Sequence, residues 1–183
     1  GDSITYGDGS SDKQGYVLKL QNLLGPHFGR AEVKAWGRPG TNSAEGATRT
    51  KLTMRWYDPA FLLIHYGTND WQNQTCQKQG PSACFTIDSL RTMIEDARDY
   101  DTLPILATII PGNPALVPAG PNAWYDEMNA SIKSVVQSVE NLFARFPMEF
   151  LARSPELAFL RGVASWTAWD FESMHANLQR AAA

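Results

Sequence analysis

Two continuous apolar runs constrain this chain more than any other feature. They are Phe61-Leu62-Leu63-Ile64-His65-Tyr66 and Leu103-Pro104-Ile105-Leu106-Ala107-Thr108-Ile109-Ile110. Runs without alternation read as strands covered on both faces. Gly67 follows the first, and Pro111-Gly112 halts the second. Between them, Ser82 to Tyr100 contains an amphipathic helix, with Leu90, Met93, Ile94 and Ala97 on one side and Thr86 or Asp88 as N-cap candidates. Strands alternating with helices give a parallel sheet with helices on both faces. The expected class is therefore α/β, a three-layer α/β/α sandwich with a mainly parallel sheet of about five strands.

The flanking segments extend the alternation. Residues 15–25 space apolar groups helically and are expected to stop at Gly25-Pro26. Ala31 to Trp36 reads as a short strand, and Asn122 to about Arg145 as a long helix. The stretch from Phe146 to Trp169 has no clean strand pattern, although Phe150-Leu151 and Phe159-Leu160 are apolar enough to pack. A length of 183 residues fits one domain, 1–183, large enough for a substantial core. The formal net charge of −3 gives no broad attraction to nucleic acid or anionic membrane. No apolar run reaches the roughly 18 residues needed to cross a bilayer, so no stable membrane insertion is expected.

In open parallel sheets, ligands sit beyond the carboxyl ends of the strands. The loops there are Gly37 to Arg49, then Gly67-Thr68-Asn69-Asp70, and near the end Glu172-Ser173-Met174-His175-Ala176-Asn177. At the front, Gly1-Asp2-Ser3-Ile4-Thr5-Tyr6-Gly7 looks like an elbow presenting a serine. Serine is unreactive unless a fold exposes it, supplies a base and stabilises an oxyanion. Together these loops hold a nucleophile, tight glycine turns, an amide and an imidazole preceded by a carboxylate.

These four blocks, in this order, resemble the SGNH (GDSL) hydrolases. The resemblance spans nearly the whole chain and implies a flavodoxin-like strand order 2-1-3-4-5, with the first strand expected ahead of Gly1. It implies Ser3 as nucleophile and His175 as general base. The oxyanion would be held by the N–H groups of Ser3 and Gly40 and the Asn69 amide. Gly46 and Arg49 complete the second block. The family usually has Asp-x-x-His followed by Pro-Asn, whereas here Glu172 precedes His175 and Ala176-Asn177 follow. Glutamate is one methylene longer, so Glu172 would orient His175 through a different rotamer. Asp170 is the rival acid.

The implied activity is hydrolysis of a carboxylic ester through an acyl-serine intermediate, without metal or organic cofactor. A small domain with short loops and no obvious lid suggests acetyl-type, short-chain small-molecule esters. An acetylated carbohydrate, as in an acetylxylan-type deacetylase, is the alternative, and a catalytically inactive glycan- or lipid-binding relative is a second. Trp71 is a candidate pocket wall or a plug under the loop that follows; Trp166 and Trp169 can form a stacking wall or pack in the core. Asp2 and Asp70 read as turn-stabilising, with Asp70 holding the loop that aims Asn69. Arg49 reads as a loop support, His65 as a satisfied core histidine and His27 as a solvated loop residue. Cys76 and Cys84, separated by a short polar loop, are expected to form a disulfide. That pairing implies an oxidising, secreted or periplasmic location, although the chain shows no signal peptide. Two reduced thiols on a cytosolic loop are the alternative. Oligomeric state is left open.

Overall fold

The computed structural model describes residues 1–28, 32–115 and 119–143. Two compact units emerge, Gly1–Pro104 and Ile105–Ala183. In the first, α1 (Ser3–Tyr6), α2 (Val17–Phe28) and α3 (Ser43–Tyr57) precede strand β1 (Phe61–Ile64). Two short 3₁₀ turns, Asp70–Gln72 and Pro81–Ala83, flank α4 (Gln74–Gln79), and α5 (Thr86–Arg98) leads into β2 (Leu103–Leu106). β1 and β2 form a two-stranded parallel sheet, anchored where Leu103 N–H donates to Ala60 O at 2.9 Å. Residues of a parallel strand alternate the neighbour they bond, so the Pro104 nitrogen, which has no proton, faces away from β1.

Packing in the first unit follows the expected helical stripe. Leu90, Met93 and Ala97 of α5 are buried, and α5 lies against α3, where Met54 is 1% exposed. Lys51 of α3 pairs with the nearly buried Asp96 of α5 at 3.3 Å. In the second unit, α6 (Ala119–Phe143) buries Trp124, Tyr125, Met128 and Ile132, spaced to fall on one face. Two asparagines two turns apart on α6 hold the segment after β2. Asn129 accepts from Ile109 N–H at 2.7 Å and donates to Ile109 O at 2.9 Å; Asn122 does the same for Gly112 at 2.8 and 2.9 Å. Each side-chain amide stands in for a strand neighbour, so this stretch satisfies its backbone without extending β2 to Ile110.

Several elements differ from their sequence-based expectation. Among the described residues the sheet has two strands rather than about five. Residues 32–38 form no strand; Val33 N–H goes to the Gln21 side chain at 3.1 Å and Arg38 N–H to Gly1 O at 3.0 Å, so no ladder partner is present. Helix α2 runs through Gly25-Pro26 instead of stopping there. Gly25 explains this, because the residue before proline is kept from helical geometry partly by its Cβ, which glycine lacks. His27 therefore lies on α2, not on a loop. Residues 43–49, taken as loop, are the first half of α3. The end of the expected long helix, 144–145, and the stretch 146–169 fall outside the described residues.

Candidate active site

The front of the chain folds into a tight elbow. The buried Asp2 carboxyl accepts Ile4 N–H at 2.9 Å and caps the one-turn helix α1. Gly7, at φ 101°, closes the turn by donating its N–H to Ser3 O. That left-handed conformation suits only glycine at low cost. Ser3 stands at the start of this turn, half-buried, and no described residue hydrogen-bonds its Oγ. Beneath it, the Thr5 and Tyr16 hydroxyls meet at 2.9 Å, and Tyr16 packs edge-on against His65 at 6.3 Å.

The second loop is pressed onto this elbow. Arg38 N–H donates to Gly1 O, and a Cβ on Gly37 would lie 2.3 Å from Tyr6 N and 2.5 Å from Asp2 O. Both obstacles are backbone, so only glycine permits the contact. Gly40, by contrast, has open space where a Cβ would be; its φ of 76° is the local reason for glycine. A turn from Arg38 to Thr41 carries it, with the Thr41 hydroxyl donating to Arg38 O at 2.7 Å. Asn42 then begins α3 with a capping box, its side chain accepting Glu45 N–H while Glu45 accepts Asn42 N–H, both at 2.9 Å.

The third loop reaches the second. Asn69 donates one amide N–H to Thr41 O at 2.9 Å, so its remaining N–H points from a fixed amide beside the Gly40 turn. Asp70 is fully buried and accepts Ser43 N–H at 2.8 Å, which ties this loop to α3. A Cβ on Gly46 would lie 2.6 Å from the Tyr66 ring, so glycine at this turn of α3 lets the helix seat on that side chain. Burial pushes the Tyr66 hydroxyl up, with Thr41 pulling the other way. Arg49 supports the same region, reaching Trp36 O at 3.4 Å with its guanidinium 6.0 Å from the Trp36 ring centre.

His65 is a core residue, 5% exposed, but not a fully satisfied one. Its Nε2 has no hydrogen-bond partner among the described residues, and burial holds its pKa below the ordinary value, opposed by the nearby Asp2. Thr86 does not cap α5 as expected; position 85 holds that place, and the Thr86 hydroxyl turns inward. Cys76 and Cys84 form the expected disulfide. Trp71 sits half-buried on the 3₁₀ turn between Asn69 and that disulfide loop. Among the described residues no group of His, Cys, Asp and Glu is arranged to hold a metal ion.

The structure thus brings the Ser3 elbow, the Gly40 turn and the Asn69 loop into one hydrogen-bonded cluster. Asp170, Glu172, His175, Trp166 and Trp169 lie outside the described residues. A family model for GDSL-like lipases and acylhydrolases matches residues 1–179. The chain belongs to the GDSL-like lipase/acylhydrolase family. Its fold is similar to that of a psychrotrophic esterase, EstA from Pseudoalteromonas sp., solved with monoethylphosphonate as inhibitor. The TM-score is 0.54 at 16% identity, over 98% of this chain and 94% of that one. Comparison with curated protein sequences gives no match. The family fold is accordingly the SGNH-type α/β hydrolase fold, and family members act on ester bonds.

Sequence reasoning missed Gly37, Ser43 and Thr86 as parts of this cluster. Gly37 was legible only as one of several glycines in a loop, because the backbone it touches is remote in sequence. Ser43 had a signal: the Asn42-to-Glu45 capping box marks it as the first residue of a helix.

Proposed function

We propose that this protein hydrolyses short-chain, acetyl-type carboxylic esters through an acyl-Ser3 intermediate. The observation that supports this reading is the linked set of contacts from Gly1 through Arg38 and Thr41 to Asn69, which gathers the Ser3 elbow, the Gly40 turn and the Asn69 amide. In this reading His175 takes the Ser3 Oγ proton as the oxygen attacks the ester carbonyl. The tetrahedral oxyanion is held by the N–H groups of Ser3 and Gly40 and by the Asn69 amide. Collapse expels the alcohol, which receives the proton from His175. Water, activated by the same imidazole, then releases the acid and restores Ser3. Glu172 holds the imidazole from three residues away, with Asp170 as the alternative acid, and no cofactor takes part. Trp71 forms one wall of the acyl or leaving-group pocket.

One catalytic domain spans 1–183 in this account. The Cys76–Cys84 disulfide supports a secreted or periplasmic setting, and no described helix is long and apolar enough to cross a membrane. A second reading, deacetylation of a carbohydrate, draws on aromatic side chains close to the Gly37 loop. Trp36 packs edge-on against Trp56 and Tyr57, and Trp56 is 63% exposed. Exposed indole faces are suited to stacking on sugar rings.

A series of p-nitrophenyl esters from acetyl to dodecanoyl tests the substrate class, with Ser3→Ala as the blank. Highest kcat/KM at acetyl to butyryl is expected, and preference for the long chains would overturn it. Faster release of acetate from acetylated xylan than from p-nitrophenyl acetate would favour the carbohydrate reading. No turnover of any ester would favour an inactive, binding relative.

A further inference from the structure

One side chain joins the three segments around the Gly40 turn. Oδ1 of Asp70 accepts Ser43 N–H at 2.8 Å, while Oδ2 accepts the hydroxyls of Ser43 at 2.6 Å and Thr86 at 2.5 Å. Asp70 is 0% exposed, Ser43 is 0% and Thr86 is 0%. Among the described residues no ion pair involves Asp70, and these three hydrogen bonds satisfy the buried acid. Ser43 opens α3 just beyond the Gly40 turn, Asp70 directly follows Asn69, and Thr86 opens α5.

The consequence is geometric. The Gly40 turn is fixed upstream by Arg38 N–H on Gly1 O and downstream by Ser43 on Asp70. Only a short stretch separates these anchors, so displacement of Ser43 moves the Gly40 N–H. The same carboxyl sets the residue next to Asn69, whose amide donates to Thr41 O. Thr86 steadies the same carboxyl oxygen that accepts the Ser43 hydroxyl. Cys84 Sγ lies 3.2 Å from Thr86 Oγ1. A disulfide sulfur has no proton and the Thr86 proton is committed to Asp70, so this is a packing contact that limits the Thr86 rotamer.

We propose that Asp70, with Ser43 and Thr86, is a positioning unit that sets the separation between the Gly40 N–H and the Asn69 amide. The proposal rests on the reading of those two groups as oxyanion donors. Because donors of this kind act on charge that develops in the transition state, a misplaced donor lowers kcat more than it raises KM.

Thr86→Val keeps the shape and removes one hydrogen bond; Ser43→Ala removes another; Thr86→Ser restores the hydroxyl. Steady-state kinetics on p-nitrophenyl acetate, with circular dichroism to verify folding, separate kcat from KM. Thr86→Val and Ser43→Ala are expected to lower kcat by about 10-fold or more with KM nearly unchanged, and Asp70→Asn by up to about 10²-fold. Thr86→Ser is expected to recover most of the rate. If Asp70→Asn does not fold, the two single-bond variants decide. Folded variants with wild-type kcat, or with a loss confined to KM, would overturn the positioning role while leaving the esterase reading intact. A folded wild-type protein that turns over no ester would overturn both.

Discussion

His65 packs against Tyr16 with an Nε2 that has no partner among the described residues, and burial lowers its pKa from an ordinary value near 6.5. The unfolded chain therefore binds the proton more readily than the native one. The contribution of His65 to stability is present above about pH 6.5 and is lost as the pH falls through the lower native pKa. Thermal melts across pH 8 to 5 should show a decline that is smaller in His65→Gln, and this difference isolates His65 from the other histidines. Equal declines in both proteins would show that His65 does not titrate between the two states. At this scale the sequence was partly legible. The apolar run announced a core histidine, but whether its nitrogens find partners depends on Tyr16 and Asp2, which pattern alone does not place. Gly40 and Gly37 teach the same lesson in opposite ways. Gly40 sits at a φ of 76°, which favours glycine, whereas at Gly37 a Cβ would run into the backbone of the elbow.

Among the longer elements, α3 was the one the apolar pattern concealed. Its buried face is Ser43, Gly46, Thr50, Thr53 and Met54, mostly small and polar, while Leu52, Trp56 and Tyr57 are exposed. A reading based on apolar periodicity finds no stripe in such a helix. Thr50 and Thr53 return their hydroxyls to the carbonyls of Gly46 and Arg49, which is how the polar face is buried without cost in lost hydrogen bonds. Helix α5 carries an ordinary stripe of Leu90, Met93 and Ala97 and was legible for that reason. The capping box of α3 should carry measurable weight. Asn42→Ala is expected to cost about 1 kcal/mol, which in a chain of this size is a fall in Tm of roughly 2–4 °C. An unchanged Tm by differential scanning calorimetry would show that the cap adds nothing beyond the Asp70 bond to Ser43. Residues 32–36 failed as a strand for another reason: strand propensity forms no ladder without a neighbour, and the Val33 N–H goes to the Gln21 side chain instead.

For the molecule as a whole, the Ser3 elbow, the Gly40 turn and the Asn69 loop were legible from their glycines and polar side chains, and their order along the chain is itself specific. What links them in space, from Gly37 on the elbow to Asp70 on Ser43, comes from residues far apart in sequence. The Cys76–Cys84 bond closes a short loop directly after the Asn69 turn. Cys76→Ser with Cys84→Ser should lower stability by roughly 2–3 kcal/mol in urea unfolding, the entropic gain expected for a loop of this length. No change in the midpoint would mean that local packing, not the crosslink, holds the loop. The central claim is that Ser3 is the nucleophile of an ester hydrolase. A fluorophosphonate probe on the folded protein, followed by peptide mass mapping, tests it most directly. One label on the peptide containing Ser3, absent in Ser3→Ala, is the predicted result; an unlabelled Ser3 in folded protein, or a label on another residue, would contradict it.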